Sequence, residues 1–107
     1  MDGVTARTVR LVDQYFGPDE RDLVISELVD RCGNDLPWHQ SASPTDLERV
    51  RFAVLKLSEG DLDEFESAVA MATTDWRDVL VCAGFAYDTR AHETWADARL
   101  GNSSAQE

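Results

Sequence analysis

The chain is cut into helix-length pieces by its own punctuation, which constrains its fold more than any other feature. Gly17-Pro18 halts one apolar-periodic run, Gly33 ends the next, and Ser43-Pro44-Thr45-Asp46 opens a third. Gly60 closes that one, and Asp61-Leu62-Asp63-Glu64 opens a fourth. Glycine frees the backbone for left-handed conformations and proline withholds an N–H, so each interrupts a helix. Ser43 and Asp61 are N-cap residues, whose side-chain oxygens take unpaired amides of the first turn. Pro44 suits that turn, and Glu64 stands three residues after Asp61, as in a capping box. Asp19 reads as the cap of the second helix.

Between these marks apolar residues recur at helical spacing. The sets are Leu11, Val12, Tyr15 and Phe16; Val24, Ile25, Leu28, Val29 and Cys32; Leu47, Val50, Ala53, Val54 and Leu57; and Leu62, Phe65, Ala68, Val69 and Ala72. Thr73-Thr74-Asp75 recaps the chain before a fifth helix from about Trp76 to Ala86. A sixth, over about Arg90 to Leu100, carries Ala91, Trp95 and Ala98 on one side. No stretch shows strand alternation. The expected fold is all-α, a single compact bundle of five or six short helices over residues 1–100. Residues 101–107 are small and polar, and read as a flexible C-terminal tail.

Composition narrows function mainly by exclusion. Asp and Glu number 21 against 10 Lys and Arg, a formal charge of −11. Nucleic-acid binders depend on Lys and Arg to displace phosphate counterions, so nucleic acid is not expected as a partner. The N-terminus lacks the basic-then-apolar layout of a secretory signal, and the longest apolar run, Val79 to Tyr87, is far short of a span of about 20 residues. A cytoplasmic protein with no membrane partner is expected. Cys32 and Cys82 form no C-x-x-C pattern and both read as buried thiols. The acids of the Asp61–Glu66 run do not match a calcium loop, because Gly60 precedes them rather than standing sixth. Most of them favour a helix start through the macrodipole. Neither His39 nor His92 has a metal spacing, and no nucleophile or phosphate-loop motif is present. No catalytic, cofactor-binding or metal-ligating residue is assigned, and enzymatic activity is not expected.

Two helices carry more apolar surface than one stripe requires. In the fifth, Trp76, Val79, Leu80 and Ala83 make one face while Val81, Cys82 and Phe85 point the other way. Central packing, with neighbours on both sides, accounts for that helix. In the third, Phe52 and Leu55 lie opposite the core stripe and are flanked by Arg49 and Lys56. Large apolar side chains rimmed by bases have the make-up of an interface centre, with packing between neighbours as the alternative. Trp38, in the long 33–43 connection, is either a further binding anchor or part of a lid over the bundle end. The partner-binding set is therefore Arg49, Phe52, Leu55, Lys56 and Trp38.

The runs Val54-Leu55-Lys56-Leu57-Ser58-Glu59-Gly60-Asp61-Leu62 and Thr74-Asp75-Trp76-Arg77-Asp78-Val79-Leu80-Val81 resemble small uncharacterised bacterial all-helical proteins of unknown function, over residues 50–85. The resemblance implies structural junctions at Gly60–Asp61 and Asp75–Asp78, and no site. The leading expectation is a non-catalytic interaction module acting through its helix faces on another protein or on a second copy. An acidic inhibitor or nucleic-acid mimic is the alternative of the same class. A ligand-binding or enzymatic domain with a site near loop 33–43 is the alternative of another.

Overall fold

Among the described residues six α-helices follow the punctuation of the chain: α1 (Ala6–Tyr15), α2 (Pro18–Arg31), α3 (Pro44–Ser58), α4 (Leu62–Thr74), α5 (Trp76–Ala83) and α6 (Ala91–Leu100). The structure is a computed structural model and describes residues 4–33, 43–88 and 90–101. No strand occurs among the described residues. The fold is thus the expected all-α bundle. Trp38, His39 and the tail beyond Gly101 lie outside the described residues.

The helix starts are built as their sequences dictate. Ser43 Oγ accepts from the Asp46 amide at 3.1 Å, and the Asp46 carboxylate accepts from the Ser43 amide at 3.2 Å. That reciprocal pair is a capping box, and it fixes the start of α3. Asp61 Oδ1 accepts from the amides of Asp63 and Glu64, at 2.8 and 3.2 Å, and so fixes α4. Asp75 caps α5 through the Arg77 amide.

Two boundaries differ from the sequence reading. Helix α2 begins at Pro18, with Gly17 as its N-cap, rather than after Asp19. The φ of proline is already helical, so Pro18 opens the helix whose predecessor it stops. Helix α5 ends at Ala83 rather than near Ala86, because Gly84 takes a left-handed φ of 81°. The Phe85 amide then donates to Leu80 O and the Gly84 amide to Val81 O, which is a Schellman closure.

Helix α3 is the hub, packed against α1, α4, α5 and α6. Six successive residues, Val50 to Leu55, are buried around its full circumference, Arg51 included. Leu11 and Val12 of α1, Val24 and Leu28 of α2, Phe65 and Val69 of α4, and Val79 of α5 complete the core, each with no exposed surface. The turn from α3 into α4 requires glycine. Gly60 has φ +84°, and a Cβ there would stand 2.9 Å from Tyr15 O. α1 is therefore seated directly on that turn.

Candidate functional site

Phe52 and Leu55 are fully buried, so they are not anchors of an exposed partner surface. Helix α6 lies across the outer side of α3. The Phe52 ring stands 5.4 Å from the His92 ring and 6.1 Å from Trp95, centroid to centroid. Phe85, carried under α6 by the Gly84 turn, stands 5.8 Å from Trp95. The Arg7 guanidinium lies 5.7 Å from the centroid of Phe52, completing its enclosure from α1.

The bases beside Phe52 also have internal partners. Arg49 Nη2 donates to Phe85 O at 2.8 Å, and Lys56 Nζ donates to Ala83 O at 2.7 Å. The C-terminus of a helix carries unpaired carbonyls and partial negative charge, which positive side chains satisfy. Arg49 and Lys56 thus close the end of α5. Arg51 does the same for α2, donating through Nε to Leu28 O and Cys32 O, both at 3.2 Å. The three bases of α3 are joints between helices. Trp38 lies outside the described residues.

The surplus apolar surface emerges on α5 instead. Val79, Leu80 and Ala83 are buried, whereas Val81 is 65% exposed and Cys82 is also exposed. The fifth helix is therefore covered on one side only. Beside Cys82 runs a shallow groove of about 180 Å³ lined by Leu57, Ala68 and Met71, with Glu64 and Ser67 at its polar edge. Both cysteines are free, and their environments are opposite. Burial pushes the Cys32 thiol pKa up to about 12. Reactivity requires an accessible thiolate. Ellman's reagent is accordingly expected to titrate one thiol in the native protein, lost in Cys82→Ser, and two after denaturation. Two thiols reacting at one rate in the native state would contradict the placement of Cys32.

A second group of side chains is assembled by the fold where α1, α3 and α6 meet. Glu48, on the same stripe of α3 as Phe52 and Leu55, is 8% exposed. Its Oε2 accepts from Thr5 Oγ1 at 2.8 Å, and its Oε1 accepts from Arg7 Nη2 at 3.0 Å. Burial pushes the Glu48 pKa up, but the neighbouring His92 ring, the Thr5 hydroxyl and the Arg7 charge outweigh it, and the net direction is down. The carboxylate is therefore held ionised. His92 has no exposed surface, and its Nε2 lies 3.5 Å from Glu48 Oε1 and 4.0 Å from Glu93 Oε2. Among the described residues neither ring nitrogen of His92 has a hydrogen-bond partner. Buried polar atoms are nearly always paired, so this ring stands out. Sequence spacing does not reveal the group, because Glu48 lies on α3 while His92 and Glu93 lie on α6. The signal present was an acid at position 48 on an otherwise apolar stripe.

No protein-family model matches the chain, and no curated protein or solved structure matches it significantly. Among the described residues no helix is long and apolar enough to cross a membrane.

Proposed function

We propose that the protein is a non-catalytic cytoplasmic interaction module that receives a basic, amphipathic partner segment on the outer face of α4 and α5. The observation that carries this reading is the exposure of Val81 on α5, next in sequence to the exposed Cys82 that lines a groove with Leu57, Ala68 and Met71. Large exposed apolar residues are few among the described residues: Leu23, Val81 and Tyr87. Val81 alone among them shares its short helix with a residue that lines this groove. Its surroundings are acidic. Glu64 lines the groove, Asp63 and Asp78 are exposed on α4 and α5, and the whole chain carries −11. Apolar contact would supply affinity, and the acids would speed encounter with a positively charged partner. The same charge opposes pairing of this face with a second copy.

Val81→Asp separates apolar docking from simple charge attraction. The new carboxylate strengthens electrostatic attraction to a basic peptide while destroying the apolar contact. Titration with a fluorescent Leu/Lys amphipathic helical peptide is expected to show binding weakened about tenfold or more in Val81→Asp, the size of effect produced by losing one buried aliphatic contact. Binding of that peptide by Val81→Asp as tightly as by the unaltered protein would refute the assignment. Equal binding of oligolysine and the amphipathic peptide, abolished by salt, would support the phosphate-mimic alternative instead.

A further inference from the structure

The cluster of Glu48, His92 and Glu93 is separate from the α4–α5 face and has a chemistry of its own. We propose that Glu48 Oε1, His92 Nε2 and Glu93 Oε2 form a binding site for a divalent transition-metal ion of the zinc class.

His92 has no exposed surface, and its Nε2 faces the Glu48 and Glu93 carboxylates at 3.5 and 4.0 Å, so in the Nδ1-protonated tautomer its lone pair points to the same place as their oxygens. The three ligand atoms all lie within 4.8 Å of one another, and this is such a group among the described residues. Zinc binds imidazole nitrogen and carboxylate oxygen at about 2.0–2.2 Å, so neighbouring ligands of a tetrahedral ion stand about 3.3–3.6 Å apart. The Glu48–His92 separation of 3.5 Å already matches that edge. The Glu93–His92 separation of 4.0 Å requires a small inward movement. Glu93 can make it, because its side chain is 30% exposed and sits at the open side of the group.

One imidazole with two carboxylates selects zinc, cobalt or nickel over magnesium and calcium, which prefer all-oxygen shells. Three protein ligands leave a fourth position for water on the Glu93 side. The surroundings hold the ligands in place. Thr5 Oγ1 donates to Glu48 Oε2 and so leaves Oε1 to face the ring. Phe52 and Phe85, with ring centroids 5.4 and 6.3 Å from that of His92, fix the plane of the imidazole. Such outer contacts are as much a part of a metal site as its ligands. Arg7 is the opposing charge, since its Nη2 donates to the same Glu48 oxygen. Its second partner is already in place: Asp97 Oδ1 stands 3.6 Å from Arg7 Nη1. Metal entry would exchange the Glu48 contact of Arg7 for a closer one with Asp97.

The test uses the full chain with Cys82→Ser, so that the exposed thiol takes no part, after removal of metal by chelation. Cobalt(II) is added and the visible ligand-field absorption is followed, with zinc competition and thermal melts in parallel. One equivalent of cobalt is expected to give the intense absorption of a four-coordinate ion, displaced by zinc, and zinc is expected to raise the melting temperature. Glu93→Gln, at a partly exposed position where folding is preserved, should weaken binding by at least about tenfold. His92→Ala should abolish the absorption. Cobalt spectra and affinity unchanged by Glu93→Gln, only six-coordinate weak absorption, or no binding at millimolar metal would each overturn the proposal.

Discussion

Phe52→Glu is expected to abolish the cooperative fold. The ring has no exposed surface and is enclosed by His92, Trp95 and Arg7, contributed by α6 and α1. Removing such a ring costs about 3–5 kcal/mol even when alanine replaces it. Glutamate adds the burial of a carboxylate, with Glu48 one helical turn away on the same face. A domain of this size has only about 5–15 kcal/mol of stability in all. Phe52→Ala should therefore show a urea midpoint shifted far down with its slope retained, and Phe52→Glu should show no cooperative transition by circular dichroism. The alternative, in which this face of α3 binds a partner, requires Phe52→Glu to remain a folded monomer with nearly unchanged stability. The two outcomes differ by the full stability of the protein.

Arg51→Met is expected to have the next largest effect. Arg51 is 6% exposed and bridges α3 to the end of α2 through Leu28 O and Cys32 O. Burial pushes the guanidinium pKa down, and these carbonyls at a negative helix terminus help to hold the charge. Methionine keeps much of the stem's volume but none of its donors. Leu28 O retains its helical donor, the Cys32 amide at 3.3 Å, so the loss falls mainly on Cys32 O. Hydrogen bonds to charged groups contribute about 1.5–3 kcal/mol, and an unpaired buried carbonyl adds to the loss. A destabilisation of about 2–3 kcal/mol, or about 10 °C in melting temperature, should follow. Arg51→Lys should recover only part of it, because lysine carries a carbon where arginine places the Nε–H that reaches both carbonyls, and its ammonium lies one bond further on. The packing here is close: a Cβ on Gly33 would stand 2.8 Å from Val29 O and 3.2 Å from Arg51 Nη2. A melting temperature within about one degree of the unaltered protein would show that this joint does not hold the fold.

Much of the architecture was legible in the sequence because helix ends are decided locally. Ser43, Asp61 and Asp75 cap the helices that their positions indicated, and the apolar spacing located the core of α1, α2 and α4. The displaced boundaries are local as well. Pro18 both ends and begins a helix, and Gly84 turns left-handed before the apolar run is over. What the sequence did not show is which neighbour covers which face. A helical wheel places Phe52 and Leu55 opposite the main stripe of α3, but cannot show that α6 crosses there. It places Val81 with Phe85, although a turn at Gly84 sends one to solvent and the other into the core. The three bases of α3 look like a solvent-facing rim until the carbonyl ends of α2 and α5 are set beside them. Glu48 and His92 meet only through that long-range packing.

The central claim is that the surplus apolar surface lies on α5 and not on α3. It is tested most directly by solvent paramagnetic relaxation on methyl-labelled protein, with a soluble gadolinium chelate as the probe. The Val81 methyl signals are expected to broaden early in the titration while those of Leu55 stay sharp throughout, because Val81 is exposed and Leu55 is fully buried. Sharp Val81 signals together with early broadening at Leu55 would contradict it, and would return the interaction surface to α3.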